Sequence, residues 1–399
     1  MTRIAVTGLG AISPFGVGVK AFWDGLASGR CAIQPLTVIE TDGFRSRVGA
    51  EVPAAYVAGL WPSRRRARAD RFGLAAAAEA LDDAGLSRPE RARTALVVGA
   101  VGGGMLEAEA WYWARARGGA GPDPRRALAS VLPCTHADAI GRRLGLGGPR
   151  ETIVMACSSG AASLAVAADL IASGAAPSAL AGGVDAITRI CFMGFNALKL
   201  IDPEPCRVFD RDRKGMSVGE GAAWLALETL DHARARGARV YAELAGHATT
   251  TDAYHPTAPR PDGSGMVAAM RTALDRARLA ARAVDYVNAH GTGTLQNDRI
   301  EAQALREVFG EGGVLISSNK SQIGHTMAAA GSLEALATVL ALAYGLVPAT
   351  VNLINPDPEI PFDCVARTPR PMPLEVAISN SFGFGGQNVT LAFKRTGGA

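Results

Sequence analysis

Four side chains able to do chemistry, Cys157, His290, Lys320 and His325, each stand where a short apolar run gives way to glycines or other small residues. A cysteine so placed can act as a nucleophile through its thiolate, and imidazoles can steady charge that builds on a nearby oxygen. Each also has a plain structural alternative. A buried cysteine packs as a small hydrophobe, and a core histidine is often satisfied by its neighbours. What separates these readings is whether the rest of the chain brings the four side chains to one place.

Cys157 lies in ETIVMACSSGAASLAVAADLIASG, residues 151–174. Residues 152–154 are β-branched and apolar and predict a short buried strand. Ser158, Ser159 and Gly160 predict an abrupt turn, and the alanine-rich run up to Gly174 predicts a helix. The cysteine then sits at a helix N-terminus, as in a nucleophile elbow, where unpaired N–H groups and the helix dipole are expected to lower its pKa. The other three groups belong to the second part of the chain. His290 leaves a strand over residues 284–288 in NAHGTGT, and Lys320 and His325 occupy the strand-to-helix turn of SNKSQIGH. A glycine loop, NSFGFGG at residues 380–386, permits close backbone approach to a ligand.

The elements around these segments come in a repeated order. Strands over residues 94–100, 178–184 and 221–227 flank the Cys157 strand and helix; strands over 284–288 and 315–318, a helix over 326–344 and a closing strand pair (375–379, 389–393) replay them. We read an internal duplication of an α/β kind, with sheets covered by helices, divided into residues 1–245 and 246–399. Residues 186–219 form an excursion long enough to be functional.

Bulk properties narrow the class. The chain has 399 residues, 48% of them hydrophobic, enough for a large core, and its net charge of +4 without a basic tail gives nucleic-acid binding little support. Six cysteines (Cys31, Cys134, Cys157, Cys191, Cys206, Cys364) show no paired spacing, which argues against a disulfide framework or a zinc site and suits a cytoplasmic protein. No leader pattern opens the sequence. The apolar segment 327–348 carries Glu334 and reads as a core helix, not a membrane span. Gly102, Gly103 and Gly104 lack the lysine and spacing of a P-loop. Arg64, Arg65, Arg66, Arg68 and Arg71 make the densest positive charge, either a solvated face or a surface for an acidic partner.

Taken together, ACSSG, NAHGTGT, NKSQIGHTMAAAG and NSFGFGG resemble the motif set of the β-ketoacyl-acyl-carrier-protein synthases, the elongating condensing enzymes of fatty acid and polyketide synthesis. The likeness runs from IAVTGLG at the start to the final strand. It implies a thiolase-like duplicated fold layered α-β-α-β-α, a homodimer or a heterodimer with a related subunit, and no metal or redox cofactor. It also implies site roles. Cys157 matches the acyl-accepting nucleophile, His290 and His325 the two histidines of decarboxylation, and Lys320 the lysine beside them. Asp298, Glu301 and Glu334 match acidic residues that hold the lysine and the loop backbone. Phe382 resembles the gating phenylalanine whose backbone N–H joins that of Cys157 in an oxyanion hole, with Phe384 as its neighbour.

The implied partner is an acyl carrier protein, acyl- or malonyl-loaded. Such proteins are acidic, so Arg64, Arg65, Arg66 and Arg68 become docking candidates, with Arg207, Arg211, Arg213 and Lys214 next. Residues 192–200, and 105–113 from across a dimer, are expected to shape the acyl pocket. Some positions depart from the family pattern: CSSG, SNKSQ, Gln296 and Gln387. HGTGT is common among polyketide-type synthases, whereas NDRIE looks like the freestanding fatty-acid type. A degradative thiolase should carry a second cysteine near the last glycine loop, and NSFGFGG has none. A noncatalytic chain-length subunit normally lacks the nucleophile that Cys157 supplies. An active synthase that works only beside such a subunit is the alternative kept open.

Overall fold

The computed structural model describes residues 2–61 and 67–396. In the first half, β1 (Ile4–Ser13), β2 (Ala95–Gly99), β3 (Arg150–Ile153), β4 (Ser178–Asp185) and β5 (Gly221–Thr229) lie in the order β3-β2-β4-β5-β1. In the second, β6 (Ala242–Thr251), β7 (Tyr286–Asn288), β8 (Leu315–Ser317), β9 (Val376–Gly383) and β10 (Gln387–Lys394) lie in the order β8-β7-β9-β10-β6. Both orders read third, second, fourth, fifth, first. In both, the first three neighbours are parallel and the last two pairings antiparallel. The duplication is therefore one of topology. β1 and β6 join the halves edge to edge, Ile4 opposite Leu244. Because β6 opens the second repeat, the expected division after residue 245 falls inside a strand, and the topology favours one before Ala242.

Helices α1 (Arg68–Asp83), α2 (Cys134–Leu144), α3 (Ser159–Ala172), α4 (Ser264–Ala277), α5 (Leu295–Phe309) and α6 (Ala330–Tyr344) complete five layers. α1 and α2 cover the outer face of the first sheet, α4 and α5 that of the second, and α3 and α6 lie between the sheets. A helix enclosed on all sides must be apolar all round, which is why α6 shows almost no polar face. Among the described residues, Met327–Tyr344 is the one helical segment long and apolar enough to cross a membrane, yet 89% of it is buried inside the protein. The two central helices meet at glycines: a Cβ at Gly160 would lie 2.7 Å from Ala328 O, and one at Gly331 would lie 2.7 Å from Ala161 N.

Each central helix is entered through the same turn. Ala156 (φ 46°) and Met327 (φ 51°) take the left-handed conformation, and each begins a 3-10 turn, Ala156–Ser158 and Met327–Ala329. One expectation changes here. The strand before Cys157 ends at Ile153 and is an exposed edge, with Val154 just beyond it 59% exposed, because nothing within the chain pairs with its free side among the described residues. The aromatic run 111–113 lies on a surface helix, Met105–Ala116, with Tyr112 and Trp113 turned outward.

Candidate active site

Cys157 is the middle residue of the 3-10 turn and is only 9% exposed. Ser159 fixes the strained residue before it, accepting from Met155 N–H (2.8 Å) and donating to Ala156 O (2.7 Å). Ser158 reaches the glycine loop, its hydroxyl within 3.1 Å of Ser381 O and 2.7 Å of Gln387 O. Both serines of CSSG are thus structural ties. The expected lowering of the cysteine pKa is not found. Burial pushes the thiol up to about 11, although the Phe384 backbone N–H and the Lys320 charge pull the other way. Desolvation of the charged form outweighs the helix end.

That N–H corrects a second expectation. The backbone donor facing the Cys157 sulfur belongs to Phe384, not Phe382. Gly383 is extended (φ −110°) and Gly385 left-handed (φ 78°), so the chain reverses around residue 384 and turns its amide inward. Phe382 is buried, its ring 6.0 Å from that of His290, while the Phe384 ring sits against Phe195 at 6.0 Å.

His290 and His325 are buried edge to face, with centroids 5.5 Å apart. Each ring has one nitrogen already committed. His325 Nδ1 accepts the Met327 backbone N–H at 3.0 Å. His290 Nδ1 lies 3.1 Å from Lys320 Nζ, which can only donate. Burial lowers the His325 pKa to about 3 and takes that of His290 well below its ordinary value, with the Lys320 charge adding to both. Both imidazoles are therefore neutral at physiological pH, and in both the single proton sits on Nε2.

Lys320 has three donors and three partners: His290 Nδ1, His290 O at 2.5 Å, and a buried ion pair with Glu334. Burial raises the Glu334 carboxyl to about 7, opposed by the lysine. Glu301 accepts the N–H groups of His290 and Gly291, both at 2.8 Å, and burial lifts it to about 7. Asp298 accepts from Phe209 (3.0 Å), Thr292 (3.0 Å) and Gly293 (3.1 Å). The two carboxylates, three residues apart on α5, fasten the HGTG backbone from one helix face.

Cys157, His290, His325, Phe382 and Phe384 line one cavity of about 700 Å³. Phe195, Leu198, Leu200 and Met216 from the 186–219 excursion form part of its wall, with Lys199 and Lys214 also on the lining. Lys320, Glu334, Asp298 and Glu301 stand behind this lining as supports.

The basic candidates separate. Arg64, Arg65 and Arg66 lie outside the described residues. Arg68 turns inward, only 13% exposed, and binds Glu220 at 2.5 Å and Val52 O at 2.6 Å, so its charge is spent inside the fold. Arg213 is likewise buried, paired with Asp357 and 3.7 Å from Asp298. Arg207 pairs with Glu204 at 3.0 Å, and Arg211 is 63% exposed. Among the buried charged groups that the sequence reading did not single out is Asp185, a carboxylate closing the apolar strand β4. Its place at a strand end was the available clue.

The geometry agrees with what the chain is similar to. Residues 1–233 and 241–354 match the N-terminal and C-terminal domains of β-ketoacyl synthase. A 3-oxoacyl-[acyl-carrier-protein] synthase 2 of Synechocystis is 38% identical over 98% of both chains. Among solved structures, the ishigamide ketosynthase/chain length factor superposes with a TM-score of 0.94 at 34% identity over 99% of this chain and 100% of that one. A type II PKS acyl-carrier protein in complex with its ketosynthase gives 0.90 at 29% identity, with 99% and 100% covered. With both domains matched in order along its length, the chain belongs to the β-ketoacyl synthase family.

Proposed function

We propose that this chain is a β-ketoacyl-ACP synthase that joins an acyl group held on Cys157 to malonyl-ACP with loss of CO₂, in fatty acid or polyketide-type synthesis. The observation that carries this is the pairing of one thiol with two neutral Nε2–H donors on a single cavity. In the first step Cys157 attacks the acyl thioester, and the N–H groups of Cys157 and Phe384 receive the oxyanion. The thiol proton ends on the departing carrier thiol, which suits a sulfur whose resting form is protonated. In the second, malonyl-ACP loses CO₂, and the enolate oxygen is held by His290 and His325, neutral donors that do not have to change charge. The enolate carbon attacks the acyl-cysteine and releases the β-ketoacyl-ACP. With one proton taken up, Cys157 returns to the thiol. Phe384, beside Phe195 at the cavity lining, is the better gate than Phe382.

The carrier docks at the cavity mouth, where Lys199 and Lys214 offer exposed positive charge. The edge strand β3 with Val154, Trp113 and Leu132 exposed supports a dimer, with a second copy or with a related subunit like the chain length factor named in the ishigamide structure. Six free thiols support a cytoplasmic setting. The test is intact-mass spectrometry of wild type and Cys157→Ala after incubation with a panel of acyl-ACPs. One acyl group gained by wild type and not by the variant supports the reading; equal loading of both rejects it. If neither loads, the assay is repeated with a co-purified partner subunit.

A further inference from the structure

The turn that presents Cys157 has a counterpart without a nucleophile. Ala328 is the middle residue of the second 3-10 turn, and the residue before it shares the left-handed conformation of Ala156. In the first elbow the Cys157 N–H stays available to an oxyanion. In the second the matching N–H is already taken: Ala328 donates to Asp185 Oδ2 at 3.2 Å, while Gly102 donates to Oδ1 at 2.8 Å. The carbonyl side of the same residue is confined too. A Cβ at Gly160 or Gly183 would lie 2.7 or 2.4 Å from Ala328 O, so only glycines fit against it.

We propose that Asp185 is a positioning residue for His325: by gripping the Ala328 amide it fixes the turn whose Met327 N–H holds His325 Nδ1, and so keeps the Nε2 proton directed at the cavity. His325 has a second tie, its own N–H to Ser217 O at 2.7 Å, but that bond fixes the backbone and leaves the ring free to rotate. Asp185 is fully buried at the end of β4, and backbone N–H groups oppose the rise in pKa that burial causes, which suits an acceptor at both oxygens. The proposal rests on the condensing reaction above, in which His325 serves decarboxylation and not acylation.

Asp185→Asn keeps the size but turns an N–H toward one of two backbone N–H donors; Asp185→Glu keeps the charge and displaces it. Both half-reactions are measured on the full-length protein alongside thermal unfolding. For folded Asp185→Asn we expect Cys157 acylation within about twofold of wild type and malonyl-ACP decarboxylation about tenfold or more lower in kcat, with KM little changed. Equal loss in both half-reactions, or no loss in either, overturns the assignment. If neither variant folds, Asp185 is a structural residue and the assignment is again overturned. A wild type that neither acylates nor decarboxylates would instead overturn the functional reading itself.

Discussion

Met327 donates its backbone N–H to Nδ1 of His325 at 3.0 Å, and this one bond decides which ring nitrogen carries the proton. Lys320 does the same for His290 from a side chain. Both imidazoles thereby keep their proton on Nε2 although different devices fix them, a left-handed turn in one case and a buried ion pair in the other.

The ion pair can be tested apart from the chemistry. Lys320 and Glu334 are both about 2% exposed at the side chain, so Lys320→Met strands a buried carboxyl and should destabilise the protein by about 3–5 kcal/mol. Lys320→Met with Glu334→Leu should recover most of that stability. Decarboxylation should stay lost in the double variant, because His290 Nδ1 has no donor. Unfolding curves and CO₂ release, measured side by side, check both statements; recovered CO₂ release would remove Lys320 from the account.

Phe384 contributes its amide to the site, so replacing its side chain and removing its N–H should differ. Gly383 is already extended, the conformation a following proline requires, so Phe384→Pro deletes the donor with little strain. Acylation of Cys157 should slow about 10²-fold in Phe384→Pro and far less in Phe384→Ala. Equal rates in the two variants would move the oxyanion hole elsewhere.

Reversing charge at the cavity mouth should affect only the large substrate. Lys199→Glu with Lys214→Glu should raise KM for carrier-bound acyl groups several-fold at low salt, leave a small acyl thioester unaffected, and lose its effect as salt rises. Arg68→Glu should behave differently, placing a second carboxylate against Glu220 and lowering the unfolding temperature. A KM change with the small thioester would show that the two mouth residues shape the pocket instead.

The strand and helix order, its repetition and the four reactive side chains were legible because they rest on local patterns: β-branched runs, alanine-rich helices and glycines at strand ends. What the sequence hid depends on residues far apart or on backbone direction. Arg68 reads as part of a surface cluster until its partner Glu220, 152 positions away, is in place. F-G-F-G offers two similar amides, and only the conformations of Gly383 and Gly385 select that of Phe384. The helix end alone suggests a lowered thiol pKa, whereas desolvation by burial sets its direction. Asp185 had no motif around it, since its partners Gly102 and Ala328 come from both halves of the chain.

The central claim is that His290 and His325 are neutral Nε2–H donors throughout the working range. Nitrogen NMR of histidine-labelled protein tests it directly, with His290→Gln and His325→Gln assigning the two signals. Burial brings His325 to about 3 and moves His290 in the same direction, so the account predicts Nε2–H tautomers unchanged from pH 8 to pH 5, where an ordinary imidazole would be mostly charged. A ring that titrates near 6.5, or one that carries its proton on Nδ1, would contradict it.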